Sequence, residues 1–87
     1  MSVTVELTYD MSKAYGERRI EVPQAATVKD AIGAVEAAFA ERGQELAPLS
    51  RVTAIAVNGI LMKHRKGLKT RLADGDTVAF VKAASGG

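Results

Sequence analysis

One stretch, Thr27 to Gly43, carries the start, face and stop signals of an amphipathic helix, and the rest of the chain must be arranged to receive it. Thr27 has the hydroxyl of an N-cap. Asp30 stands three residues on, a capping-box spacing that also sets an acid against the positive end of the helix dipole. Val28, Ala31, Ile32, Val35, Ala38 and Phe39 recur at three- and four-residue steps and so share one face, with Lys29, Glu36 and Glu41 on the other. Arg42 and Gly43 supply the cation and the glycine that end a helix. A helix with one apolar stripe must bury it against another layer, and the flanking sequence is built for strands.

Val3, Val5 and Leu7 alternate with Thr4, Glu6 and Thr8, the period of a half-buried strand. Asp10 to Glu17 reads as a polar loop ending in the turn-prone Gly16-Glu17 pair. Arg18 to Val22 then resumes the alternation until Pro23 stops it. The two runs predict an antiparallel hairpin with a long connection. After the helix, Gln44 to Arg51 reads as a loop with Leu46 and Leu49 tucked beneath it. Val52 to Val57 is a nearly continuous apolar run suited to a central strand. Asn58-Gly59 signals a tight hairpin turn into a short strand at Ile60-Leu61-Met62. Lys63 to Gly67 follows as a basic loop, with Leu68 and Leu72 anchoring what comes next. Ala73-Asp74-Gly75-Asp76 is a second turn, feeding a last strand in which Val78 and Phe80 alternate with Thr77, Ala79 and Val81. The order predicts an α+β chain of β-grasp layout. A mixed sheet of four to five strands packs on one main helix, and the first and last strands lie adjacent and parallel at the centre. Val28, Ile32, Val35 and Phe39 are expected to bury against Val5, Leu7, Ile55, Val57 and Val78.

Composition removes most other classes. With 87 residues the chain makes one domain with a small core. Its 47% hydrophobic and 25% charged content is too apolar for disorder. A net charge of +2 carries no global demand for nucleic acid. There is no cysteine, hence no disulfide, thiolate nucleophile or cysteine metal site, and one histidine cannot build a metal centre without carboxylates arranged around it. No nucleophile–base pair and no phosphate-binding loop is visible, so the chain is not expected to be an enzyme. Asp74 and Asp76 are better explained by turn geometry than as an acid pair. Neither a membrane-span-length apolar run nor a signal-peptide pattern occurs, which makes the cytoplasm the default location.

What needs a reason is the end, Ala83-Ala84-Ser85-Gly86-Gly87. Two glycines there cap no helix and join no further element. The α-carboxyl of a chain end titrates at roughly 3.3–3.7, so at neutral pH it is an ionised oxygen nucleophile. Two residues without Cβ atoms could carry it down a channel too narrow for side chains. The reading is a domain over residues 1–82 and a flexible tail over 83–87.

The residues Ile55-Ala56-Val57-Asn58-Gly59, Gly67-Leu68, Thr70, Leu72, the run Asp74-Gly75-Asp76-Thr77-Val78-Ala79-Phe80 and the terminal Gly86-Gly87 resemble the MoaD/ThiS-like family of ubiquitin-like sulfur carriers. The resemblance is close over the C-terminal third and one of element order before it. It implies that Gly87 is adenylated by a ubiquitin-activating-type enzyme, with ATP consumed by that partner and no cofactor or metal held by the carrier. A sulfur donor would then convert the terminus to a thiocarboxylate for a downstream acceptor enzyme, in cofactor, amino-acid or tRNA biosynthesis. Gly86 would be needed for channel entry. Leu61, Val81 and Leu7 are the candidate apolar docking residues, with Lys63, Arg65 and Lys66 at the rim. Many molybdopterin-synthase small subunits carry a bulky apolar residue and a Pro-Pro pair before the terminal segment, where this chain has Val81, Lys82 and Ala83. The alternative is a β-grasp module that binds RNA or a protein through the basic segment 63–71. No aromatics interleave that segment, so nucleic acid is not favoured.

Overall fold

The computed structural model describes residues 2–51, 53–62 and 65–82. The element order is β1 (Val3–Glu6), α1 (Tyr9–Tyr15), β2 (Arg19–Val22), α2 (Val28–Glu41), α3 (Ala47–Ser50), β3 (Thr53–Val57), β4 (Ile60–Leu61), a 3-10 helix (Arg65–Lys69) and β5 (Thr77–Lys82). The strands form one sheet in the order β2-β1-β5-β3-β4. β1 pairs antiparallel with β2 and parallel with β5, and β3 pairs antiparallel with both β5 and β4. This is the expected β-grasp arrangement, with the first and last strands side by side in the middle.

α2 forms where the sequence places it. The Thr27 hydroxyl accepts from the Asp30 amide while the Asp30 carboxylate accepts from the Thr27 and Ala26 amides, closing a reciprocal capping box. Val28, Ala31, Val35 and Phe39 are fully buried, and Ile32 packs beside them half-buried. Their counterparts on the sheet are Val3, Val5, Val22, Val57, Val78 and Phe80, with Leu7 and Ile55 at the margin of the same core.

Three expectations are corrected. Residues 10–17 are largely helical: Thr8 caps α1 by accepting from the Met11 amide, and Gly16 ends it. Met11 is completely buried, so this connection is packed onto the domain. Tyr15 stacks on Phe39 with ring centroids 5.1 Å apart, and the Arg42 guanidinium lies 3.8 Å above the Tyr15 ring while pairing with Glu17 at 3.0 Å. That cluster clamps the end of α1 to the end of α2. In 44–51, α3 replaces the plain loop, although Leu46 is buried as expected. Leu68 is exposed instead of anchoring the 3-10 helix, and Leu72 alone of the pair is buried. The inward position belongs to Gly67, where an added Cβ would lie only 2.6 Å from the Met62 Cβ. Close approach of those two backbones leaves room for nothing larger.

The two turns read separately from sequence are one structure. Asn58 and Gly59 both adopt positive φ (50° and 84°), as the tightest hairpin turn requires. The Asn58 amide donates to Asp76 (3.0 Å) and its oxygen accepts from the Thr77 amide (3.0 Å). Asp76 also accepts from the Ala73 amide at 2.7 Å. These bonds, the Ala73 amide first and the Asn58 amide second, hold the Asp76 carboxyl below the ordinary carboxylate range. A depressed folded-state pKa adds stability that is complete above the unfolded value of about 3.9 and disappears as pH falls through the folded value. Asp76→Asn is therefore expected to be less stable than wild type at pH 7. That gap should narrow below about pH 4, as followed by urea unfolding at both pH values. A gap that stays constant into acid would remove this role from Asp76.

Candidate functional site

β5 positions the site. It lies between β1 and β3, and its last described residue, Lys82, leads into the tail. Residues 83–87, and with them Gly86 and Gly87, lie outside the described residues. The end of β5 sits level with the start of β3 (Thr53 opposite Lys82) and runs past the end of β1 (Glu6 opposite Ala79). The Asn58–Asp76 cluster supports the strand at its opposite end, beside Thr77.

Strand pairing assigns faces. Residues opposite one another in a ladder point to the same side. Ile55 faces Phe80 and Val57 faces Val78 on the helix side, so Ala54 opposite Val81 and Ala56 opposite both Ala79 and Leu61 occupy the outer side. There Ala54, Ala56 and Ala79 make a low floor flanked by Leu61, 57% exposed, and Val81, 40% exposed. The far part of the same face is polar, with Arg19 3.5 Å from Glu6 and the Thr4 hydroxyl donating to Glu21. Two of the three predicted apolar anchors thus share one surface. Leu7 is elsewhere: it is half-buried against the core just past the end of β1, and it lines a groove beside Val81.

That groove, of about 470 Å3, is lined by Glu6 to Asp10 on one side and Ala79 to Lys82 on the other. Tyr9, 74% exposed, stands at its rim with the Lys13 ammonium 5.4 Å from its ring. The alternation from Val3 predicts Tyr9 as a continuation of the first strand, whereas it opens α1. Thr8, Asp10 and Gly16 were the signals of a short helix there. Of the predicted basic rim, Lys63 lies outside the described residues, and Arg65 and Lys66 occupy the first turn of the 3-10 helix. Among the described residues no cluster of His, Asp or Glu could hold a metal ion, and no helix is long and apolar enough to cross a membrane.

The ThiS family model matches residues 5–87. None of the curated proteins matches the chain. Among solved structures, SAMP1 of Haloferax volcanii is 27% identical, with all of both chains covered and a TM-score of 0.73. A chain from the BexX/CysO complex of Amycolatopsis orientalis is 25% identical, covering 98% of this chain and 99% of that one, with a TM-score of 0.73. A chain from the complex of subunits 1 and 2 of the Helicobacter pylori molybdopterin-converting factor is 25% identical, with all of both chains covered and a TM-score of 0.67.

Proposed function

The chain belongs to the ThiS family and is a ubiquitin-like sulfur carrier or modifier, and from that premise we propose that Gly87 is the reacting residue. One carboxylate oxygen of Gly87 attacks the α-phosphate of ATP. A P–O bond forms, the bond to pyrophosphate breaks, and an acyl-adenylate results. A sulfide-level sulfur nucleophile then attacks the acyl carbon, AMP leaves, and the terminus becomes a thiocarboxylate. The carrier needs no base, because the carboxylate is already ionised at neutral pH. The partner, an ATP-dependent adenylating enzyme, supplies the electrostatics for the phosphoryl centre.

The observation that carries this reading is a family match over residues 5–87, which takes in the terminal Gly86-Gly87 of the sequence. Docking uses the outer sheet face. Leu61 and Val81 are the apolar anchors, Leu7 lines the adjoining groove, and the charges of Lys63, Arg65 and Lys66 are assigned to steering the partner. Buried apolar anchors dominate affinity, while rim charges tune association rate. Similar chains occur in complexes with protein partners, BexX in one case and converting-factor subunit 2 in the other, which supports a protein–protein role for this surface.

The test is intact-mass analysis after incubation with ATP and the adenylating enzyme of the same cell, with and without a sulfide source. The expected products are the acyl-adenylate, then a species heavier by the exchange of one oxygen for sulfur. Persistence of the unmodified mass with every adenylating enzyme of that cell would overturn the proposal.

A further inference from the structure

β5 runs past the end of its neighbour. The parallel ladder with β1 stops at Glu6 opposite Ala79, while the ladder with β3 continues to Lys82. Beyond Glu6 the chain turns through Leu7 and Thr8 into α1, leaving the β1 side of Phe80–Lys82 facing the groove.

The direction of each main-chain group follows from the register. Asn58 donates to the Thr77 carbonyl and Thr4 donates to the Asp76 carbonyl. Thr77, Ala79 and Val81 therefore point their amides and carbonyls toward β3, and Asp76, Val78, Phe80 and Lys82 point theirs toward β1. Glu6 is the last β1 residue in the ladder, and no described backbone group bonds the Phe80 carbonyl or the Lys82 amide. One acceptor and one donor, a strand repeat apart, thus look into a groove walled by Leu7, Tyr9 and Val81.

Resting on the carrier reading above, we propose that this open edge is where an extended segment of the adenylating partner adds as a strand, bonding the Phe80 carbonyl and the Lys82 amide. Such strand addition takes its affinity from main-chain bonds and its selectivity from flanking side-chain pockets. The segment's chemistry follows from the walls: a main chain free of proline at the paired position, and an apolar side chain to lie between Tyr9 and Val81. The five residues 83–87 continue from this edge and span at most about 17 Å when extended. A strand seated against Phe80–Lys82 fixes the direction in which those residues leave the domain, and so where the Gly87 carboxylate arrives.

Lys82→Pro removes the amide that faces the groove and leaves the β3 ladder intact, because that ladder does not use it. Lys82→Ala removes the side chain and charge but keeps the amide. In ATP–pyrophosphate exchange with the adenylating enzyme, Lys82→Pro should raise the KM for the carrier about tenfold, and Lys82→Ala by less than about threefold. In wild type, hydrogen exchange at the Lys82 amide should be rapid alone and slow markedly on adding the enzyme. The second measurement holds even if the proline variant proves misfolded. Equal KM values for the two variants, or a Lys82 amide that stays unprotected in the complex, overturn the strand-addition site while leaving the carrier function standing. Failure of wild type to support any exchange overturns the carrier function and this site with it.

Discussion

Gly86→Ala will melt at the wild-type temperature and lose about 99% of its ATP-dependent activation. The first half follows from the extent of the described core. The buried core among the described residues extends no further along the chain than Phe80, so a methyl at position 86 is expected to leave that core unchanged. Changes away from a core stay within about 0.5 kcal/mol. Activation is different, because the Gly87 carboxylate must meet the α-phosphate in line. A misplacement of about 1 Å can cost 100-fold. Deleting Gly87 has a larger effect, since the new carboxylate falls about 3.3 Å short of the reacting phosphorus. A residue added after Gly87 replaces the carboxylate by an amide and should abolish activation until it is removed. Pyrophosphate exchange on wild type, Gly86→Ala, the Gly87 deletion and the one-residue extension measures all of this. Equal exchange by the four proteins would show that the terminus is not the reacting group.

Phe39→Ala should destabilise the protein by about 3–5 kcal/mol, out of a total of roughly 5–15 for a native domain. Phe39 is completely buried near the end of α2. It also carries the ring of Tyr15, on which the Arg42 guanidinium rests. Truncation opens a cavity and removes the platform that clamps α1 to α2. Amides of Met11 to Tyr15 should then exchange faster than those of β1 or β5, beyond what the global loss explains. Urea unfolding gives the first number and residue-resolved hydrogen exchange the second. A loss below about 1 kcal/mol would contradict the packing of α2 on the sheet. Because α1 holds Tyr9 at the groove beside Val81, the variant also links stability to docking.

Local signals were sufficient for much of this. Thr27, Asp30 and the three- and four-residue steps to Phe39 specify α2 within its own segment, because caps and helix faces involve residues a few positions apart. Alternation in β1 and β5 assigned Val5, Val78 and Phe80 to the core and left Val81 outside. Those readings need only neighbours in sequence.

Other features depend on residues that meet only after folding. Asn58 and Asp76 each form a turn locally, but their joining across 18 residues requires β3 and β5 to be paired in one register. Gly67 rather than Leu68 faces inward because Met62 has already taken the space. α1 was hidden because it is short and shows a single buried residue, Met11, whose burial the rest of the domain provides. The groove beside Val81 exists because β1 stops at Glu6 while β5, paired on its other side with β3, continues to Lys82. Sequence alone determines which segments can be helix or strand, since that is a matter of period and capping. How far one strand outruns its neighbour is set by ladder bonds between distant segments, and only the tertiary structure could decide it.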